Sequence, residues 1–382
     1  MRTLLILTLP CTPALGAPVF EDVSNTNLPA PLTAHKTMDA EFADLDNDGD
    51  LDLILAREWL PNVVLFNDGA GGFPRADALT LGSINTDSED VAVADFNGDG
   101  RPDIAFANED TGANELYLQN AEGGFDAASE RMTAKGRSNA ILAIDLTGDG
   151  HADILLGNDG QNTLLVGDGK GGFTDETETR LPALSDVTQD VEAGDVDDDG
   201  DLDVLVANEG DNHLLINNGA ARFTRAELPV NPGDEETREG DLADIDNDGD
   251  LDILLANVGW TPGTDPRNRV LVNDGAGNFV DESDRRLPRL LLTTVDIDPA
   301  DIDNDGDPDW ITAEMSDGGP TVLLNDGAGV FGYAESHPLP DAAFSNAVDV
   351  ELVDVNGDGR PDLYIAHFGR GDLLFFSIET GD

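Results

Sequence analysis

Cysteine is nearly missing from this chain: Cys11 stands alone among 382 residues. Disulfide frameworks and thiolate metal sites need several cysteines, so neither organises the fold. Lysine is almost as scarce, with Lys36, Lys135 and Lys170 beside seventeen arginines. All bases together number 20 against 79 acids, a formal net charge of −59. A surface this acidic repels phosphate backbones and anionic headgroups, which excludes nucleic-acid binding and membrane-surface roles. No apolar run approaches the roughly 20 residues that a membrane-spanning helix needs. Catalytic signatures are absent too: there is no G-x-S-x-G, no H-E-x-x-H and no phosphate-binding glycine loop.

The N-terminus carries an export pattern. Arg2 precedes an apolar stretch from Leu4 to Pro10, and Ala14-Leu15-Gly16 offers a small-x-small cleavage site. Residues 1–17 are therefore expected to be a signal peptide, and residues 18–382 a single mature domain that is secreted, periplasmic or held at the cell surface. Cleavage there removes Cys11 and leaves no thiol.

What is abundant is one nine-residue pattern, D-x-[DNT]-x-D-G-x-x-D, which occurs seven times about fifty residues apart. Oxygen ligands at positions one, three, five and nine, with a backbone carbonyl from position seven, supply most of the six to eight oxygens that calcium takes. The first loop offers Asp44, Asp46, Asp48, Asp50 and Asp52; the second Asp95, Asn97, Asp99, Arg101 and Asp103; the third Asp145, Thr147, Asp149, His151 and Asp153. The fourth offers Asp195, Asp197, Asp199, Asp201 and Asp203, and the fifth Asp244, Asp246, Asp248, Asp250 and Asp252. The sixth has Asp301, Asp303, Asp305, Asp307 and Asp309, and the seventh Asp354, Asn356, Asp358, Arg360 and Asp362. Position seven varies between Asp, Arg and His, as expected where only its carbonyl is used. Glycine at position six permits the sharp turn. Up to seven Ca2+ ions are expected, with loop three the weakest because Thr147 replaces a carboxylate. An EF-hand would need glutamate at position twelve and flanking helices; here that position holds Leu55, Phe106, Leu156, Val206, Leu255, Thr312 and Ile365.

Between loops the chain reads as short strands. In the second repeat, Asp90–Asp95, Pro102–Ala107 and Glu115–Leu118 are apolar runs separated by turn residues, and Phe125 opens a fourth. Asp-Gly turns followed by phenylalanine recur, as in Asn67-Asp68-Gly69 to Phe73. Four strands in a unit of this length predict an all-β fold, a β-propeller of four-stranded antiparallel blades. The last loop is followed by two strands only, and Phe20 opens a spare strand before the first loop. A closed seven-bladed ring follows, in which the N-terminal strand completes the last blade and no sheet edge stays open.

These loops and strands resemble the FG-GAP/VCBS-type repeats that build secreted bacterial propellers and the head of integrin alpha subunits. The resemblance runs from Phe20 to Asp382. It implies calcium in the loop joining the first and second strands of each blade, and it leaves function open between adhesion, sugar binding, enzyme scaffolding and assembly.

The face opposite the loops gathers Arg57, Trp59, Trp260, Arg267, Arg269, His213, His367 and Arg370, with an insertion at Asn257–Arg269. Tryptophan stacks on sugars and arginine pairs carboxylates, so a glycan or an extracellular protein is the expected partner. The same residues also serve a polysaccharide-active lyase or dehydratase, and a structural surface protein needs no small ligand at all. An acid five residues before most loops (Asp39, Asp90, Asp190, Glu239, Asp296, Asp349) is expected to ring the channel mouth. Arg370-Gly371-Asp372 spells an adhesion tripeptide, and is read here as an ordinary turn.

Overall fold

A computed structural model describes residues 19–30, 36–82, 86–109, 112–134, 136–230, 233, 235–289, 293–315, 319–334, 339 and 346–378. The expected signal segment lies outside them.

Strands Thr37–Ala43, Asp52–Arg57, Asn62–Leu65 and Leu79–Leu81 form one four-stranded antiparallel sheet, paired in chain order. The units whose first strands are Ser88–Ala94, Thr237–Ala243 and Thr294–Ala300 repeat this order. The units starting at Ser138–Ile144 and Asp186–Gly194 share one eight-stranded sheet, joined where Asp159 pairs with Val187 and Gly160 with Asp186. The last unit takes three strands from its own stretch of chain, Ala347–Val353, Asp362–His367 and Leu373–Ile378. Its fourth strand is Val19–Asp22, antiparallel to Leu373–Ile378 with Phe20 opposite Ser377.

The first six residues of each second strand are buried, as Asp52–Arg57, Asp103–Asn108 and Asp252–Asn257 illustrate. Both faces of such a strand pack on neighbouring sheets, which is why these segments read as continuous apolar runs without alternation. The core lies between sheets. One cluster joins Ile54 and Val64 of the first unit to Val91, Ile104 and Phe106 of the second. Another joins Leu53 and Leu55 of the first unit to Tyr364 and Leu374 of the last.

Polar clasps add to this packing. In five units, all but the third (Gly167) and the last (Ser377), an amide at the end of the third strand donates its NH2 to the preceding unit's acidic loop, at longest for Asn217 (3.4 Å to Leu146 O). Asn67 Nδ2 donates to Val355 O (2.9 Å), Gln119 Nε2 to Leu45 O (2.6 Å), Asn273 Nδ2 to Val196 O (2.8 Å) and Asn325 Nδ2 to Ile245 O (2.8 Å). All five amides are buried, and losing such a bond leaves a buried carbonyl unpaired.

Every first strand also breaks register near its start, in the first unit between Thr37 and Asp39. A bulge re-aims the residue that follows it. That residue is the acid expected at the channel mouth, or Ala140 in the third unit.

Candidate functional site

The seven acidic loops share one hydrogen-bond plan. The carboxylate at position one accepts the backbone N–H of position five on Oδ1 and that of the position-six glycine on Oδ2. In the first loop Asp48 N donates to Asp44 Oδ1 (3.1 Å) and Gly49 N to Asp44 Oδ2 (3.2 Å). The same pair of bonds closes the other six loops. Gly49 adopts φ +98°, a region costly for side chains. Position four is also left-handed throughout, filled by Asn47, Gly98, Gly148, Asp198, Asn247, Asn304 and Gly357. These are the residue types that tolerate it.

The position-nine aspartate is a strap as well as a candidate ligand. Asp52 Oδ2 accepts Leu45 N (3.0 Å) across the loop while Oδ1 accepts Asn67 N (2.9 Å) from the third strand. Asp103, Asp153, Asp203, Asp252, Asp309 and Asp362 repeat both bonds. Burial pushes the pKa of Asp52, Asp103, Asp203, Asp252 and Asp362 up to about 6, and that of Asp309 to about 7. At position seven, the Asp50 carboxylate lies against the hairpin glycine Gly69, where an added Cβ would come within 2.7 Å of Oδ2. The Asp-Gly hairpins and the acidic loops therefore occupy one face.

Whether these residues fit a hard cation is tested by position three. Asp197, Asp246 and Asp303 each hold a buried Oδ1 with no hydrogen-bond partner. Burial and the neighbouring acids raise the pKa of Asp197 and Asp303. Carboxylate oxygens of Asp44, Asp46 and Asp48 lie within 4.8 Å of one another, as do those of Asp195, Asp197 and Asp199, of Asp244, Asp246 and Asp248, and of Asp301, Asp303 and Asp309. Converging, unpaired and crowded oxygens suit a divalent ion. Loops two, three and seven form no such triple among the described residues. Asn97 and Asn356 turn their amide nitrogens toward Asp103 (3.0 Å to Oδ2) and Asp362 (3.2 Å to Oδ1). By titration calorimetry, Asp248→Ala is expected to remove a tight calcium site, whereas Asp149→Ala leaves the tight sites intact; loss of a tight site in Asp149→Ala overturns the ranking.

The structure sorts the seven candidate ligand residues by depth. Trp59 and Trp260 are 39% and 48% exposed, and the Arg238 guanidinium lies 4.4 Å from the Trp260 ring centroid. Arg267 is tied to Asp265 (2.7 Å) and Asp284 (3.2 Å). Arg370 is half-buried. Arg57, Arg269 and His367 are closed off from solvent. The Arg57 Nη1 donates to Pro61 O (3.3 Å), and Arg269 pairs with Glu235 (2.5 Å) and Asp265 (3.0 Å). His367 is fully buried, and burial together with Arg370 pushes its pKa down to about 4. His213 is likewise buried, 3.0 Å from Asp186. A lyase site built on His367 and Arg267 therefore has one residue beyond reach of a polymer and the other engaged by two acids. Asp372 is also buried, with Thr37 Oγ1 (2.8 Å) and Tyr364 Oη (2.9 Å) donating to it. It is unavailable as an adhesion carboxylate.

First strands from all seven units line one cavity of about 420 Å3, and the six expected acids are all in its wall. Sequence reasoning missed a second tier, Glu41, Glu192, Asp241, Asp298 and Glu351, together with Glu89. The signal was available: two residues further along a strand returns to the same side. Burial first, then nearby acids, raises Glu41 and Glu89 to about 8 and Glu192 to about 7; burial raises Asp298 to about 7. Part of the first tier is structural. Asp39 Oδ2 accepts Val91 N (2.9 Å), Asp90 Oδ2 accepts Ile141 N (2.6 Å) and Asp296 Oδ2 accepts Val350 N (2.7 Å), each across to the next unit.

A family described as FG-GAP-like repeat matches residues 44–106, 95–156, 145–206, 195–255, 244–312 and 301–365. Cartilage acidic protein 1 of Mus musculus is 30% identical over 112 residues, which are 28% of this chain and 17% of that relative. Among solved structures, BBS1N from a complex with ARL6DN aligns over 96% of this chain and 99% of its own, with TM-score 0.58 and 10% identity. An Agrocybe aegerita lectin that recognises non-reducing terminal N-acetylglucosamine aligns over 95% and 94%, with TM-score 0.52 and 17% identity. The extracellular domain of a putative one-component system from B. thetaiotaomicron aligns over 93% of this chain and 39% of its own, with TM-score 0.56 and 12% identity. At these identities the likeness is one of fold, an all-β propeller of four-stranded antiparallel sheets. No described helix is long and apolar enough to cross a membrane.

Proposed function

Because the chain belongs to the FG-GAP-like repeat family, we propose that it is an exported, calcium-stabilised interaction module. In this reading residues 1–17 are a signal peptide and residues 18–382 one domain, in which seven blades close into a ring. Closure is supported by the cavity lined from all seven first strands, by the pairing of Val19–Asp22 with Leu373–Ile378, and by the Asn67 clasp to Val355. Calcium is supported by the unpaired oxygens of Asp197, Asp246 and Asp303.

The ligand is a glycan, bound on the face away from the metal loops. The observation that carries this is the pair of exposed tryptophans, Trp59 and Trp260. Both stand in connections between second and third strands, and each is braced: Trp59 Nε1 donates to Glu58 (3.2 Å) and Arg238 stacks on Trp260. A rigid aromatic plate beside charged groups suits the apolar face of a sugar ring. The lectin that shares the fold is a glycan binder by its own description, and BBS1N in complex with ARL6DN marks the same fold as one that docks proteins.

A glycan array probed with the calcium-loaded protein tests the reading. Binding to a defined sugar class is expected, weakened roughly tenfold or more in Trp260→Ala. Equal binding by wild type and by a Trp59→Ala/Trp260→Ala double variant overturns this site.

A further inference from the structure

Among the described residues, the cavity between the seven first strands is lined by twelve carboxyl groups and by no lysine, arginine or histidine. Several of these acids clasp backbone N–H groups of the next unit, which accounts for part of the collection. It leaves the others without an explanation. Asp349 is 6% exposed and lines this cavity, and its buried Oδ2 has no hydrogen-bond partner. Asp241 Oδ2, in the second tier on another strand, is also buried and unpaired. A buried carboxylate oxygen with no donor is costly to leave so. Two such side chains, Asp349 and Asp241, line one polar space and point to something that fills it.

The spacing decides how that occupant is held. Glu89 converges with Asp87 and Glu109 at one edge; otherwise no three cavity carboxylates bring oxygens within 4.8 Å of one another, among the described residues. A dehydrated ion gripped by several carboxylates, as in the loops, does not match that geometry. The cavity is wide enough for roughly a dozen waters or more. A small divalent ion that dehydrates reluctantly keeps its waters and is held through them. We propose that the cavity is a second cation site, distinct from the nine-residue loops, which takes hydrated divalent cations of the magnesium class through water bridges to two tiers of first-strand carboxylates. Burial already raises Glu41, Glu192 and Asp298, so protons are the competing occupant.

Hexaamminecobalt(III) separates this site from the loops, because its six ammines do not exchange and it cannot enter a site that demands direct oxygen ligands. Equilibrium dialysis of the full chain against this probe, in calcium and at physiological salt to screen the outer surface, is expected to show saturable uptake. Glu239→Gln/Asp241→Asn/Asp349→Asn is expected to lower that affinity at least tenfold. Asp248→Ala, which empties a loop, leaves cobalt uptake unchanged and reduces calcium uptake, so failure of the loop reading and failure of this one are told apart. Crystals of the wild type soaked with the probe are expected to show an anomalous cobalt peak in the cavity, a readout that does not depend on how the triple variant folds. Cobalt found only on the outer surface, or equal uptake by wild type and triple variant, overturns the proposal.

Discussion

Chelation is expected to lower the unfolding midpoint by roughly 15 °C or more. The loops place three to six acids on one short turn, and burial plus like charge already raises Asp46, Asp197 and Asp303. A cation removes that repulsion in the folded state and has no comparable site in the unfolded chain. At a hundred times its Kd, one ion stabilises by about 2.7 kcal/mol. Several filled loops together therefore contribute on the order of the 5–15 kcal/mol that typically separates folded from unfolded protein. The effect propagates between units, because Asn67, Gln119, Asn273 and Asn325 hold loop carbonyls of the neighbouring sheet. Differential scanning calorimetry with EDTA and with millimolar calcium reads the shift. A midpoint that EDTA does not move removes the calcium reading.

In chelator, the protein is expected to be more stable at pH 5 than at pH 8, the reverse of the usual acid sensitivity. Glu41 and Glu89 carry pKa values near 8 and Glu192 near 7, against an ordinary 4.5. Their surroundings supply little relief. Glu41 faces Asp39 and Glu351, and Glu192 faces Asp190 and Asp241. Glu89 faces Asp87, Glu109 and Glu58 with only Arg238 opposing them. A folded pKa above the unfolded one means that the folded state holds the proton that the unfolded chain has released. That contribution is complete below pH 4.5 and is lost as pH rises through 7 to 8. The loop aspartates near 6 act in the same direction. The midpoint in EDTA is expected to fall by roughly 10 °C between pH 5 and pH 8, and magnesium to restore more of it at pH 8 than at pH 5. A midpoint that rises with pH in chelator contradicts this.

How much of this was legible in the sequence depends on what a repeat encodes. Strand order, the spare strand at Val19–Asp22 and the seven acidic loops follow from residues that recur at fixed spacing. Left-handed position four was equally readable from Asn47, Gly98, Asp198 and their counterparts, once glycine was seen to alternate there with asparagine and aspartate. Depth was not readable. His367, Arg57 and Asp372 sit at strand ends that look like exposed connections, yet the neighbouring unit covers them: Thr37 of the first sheet donates to Asp372 of the last. Periodicity within one unit says nothing about what the next unit lays on top. The second tier of cavity acids, by contrast, was readable, since strand alternation places Glu41 on the same side as Asp39, already expected at the channel mouth.

The amide clasps are unevenly distributed, and that has a consequence for how the molecule comes apart. At the end of the third strand the last unit carries Ser377 in place of asparagine, so the joint between the sheets of Thr294–Ala300 and Ala347–Val353 has no such tie at the rim among the described residues. It is held from the middle instead, where Asp296 accepts Val350 N and Asp298 accepts Leu352 N. Thermal breathing at this seam starts at the periphery and is checked at the hub. Amide exchange there is governed by the ionisation of two acids rather than by the filling of a loop.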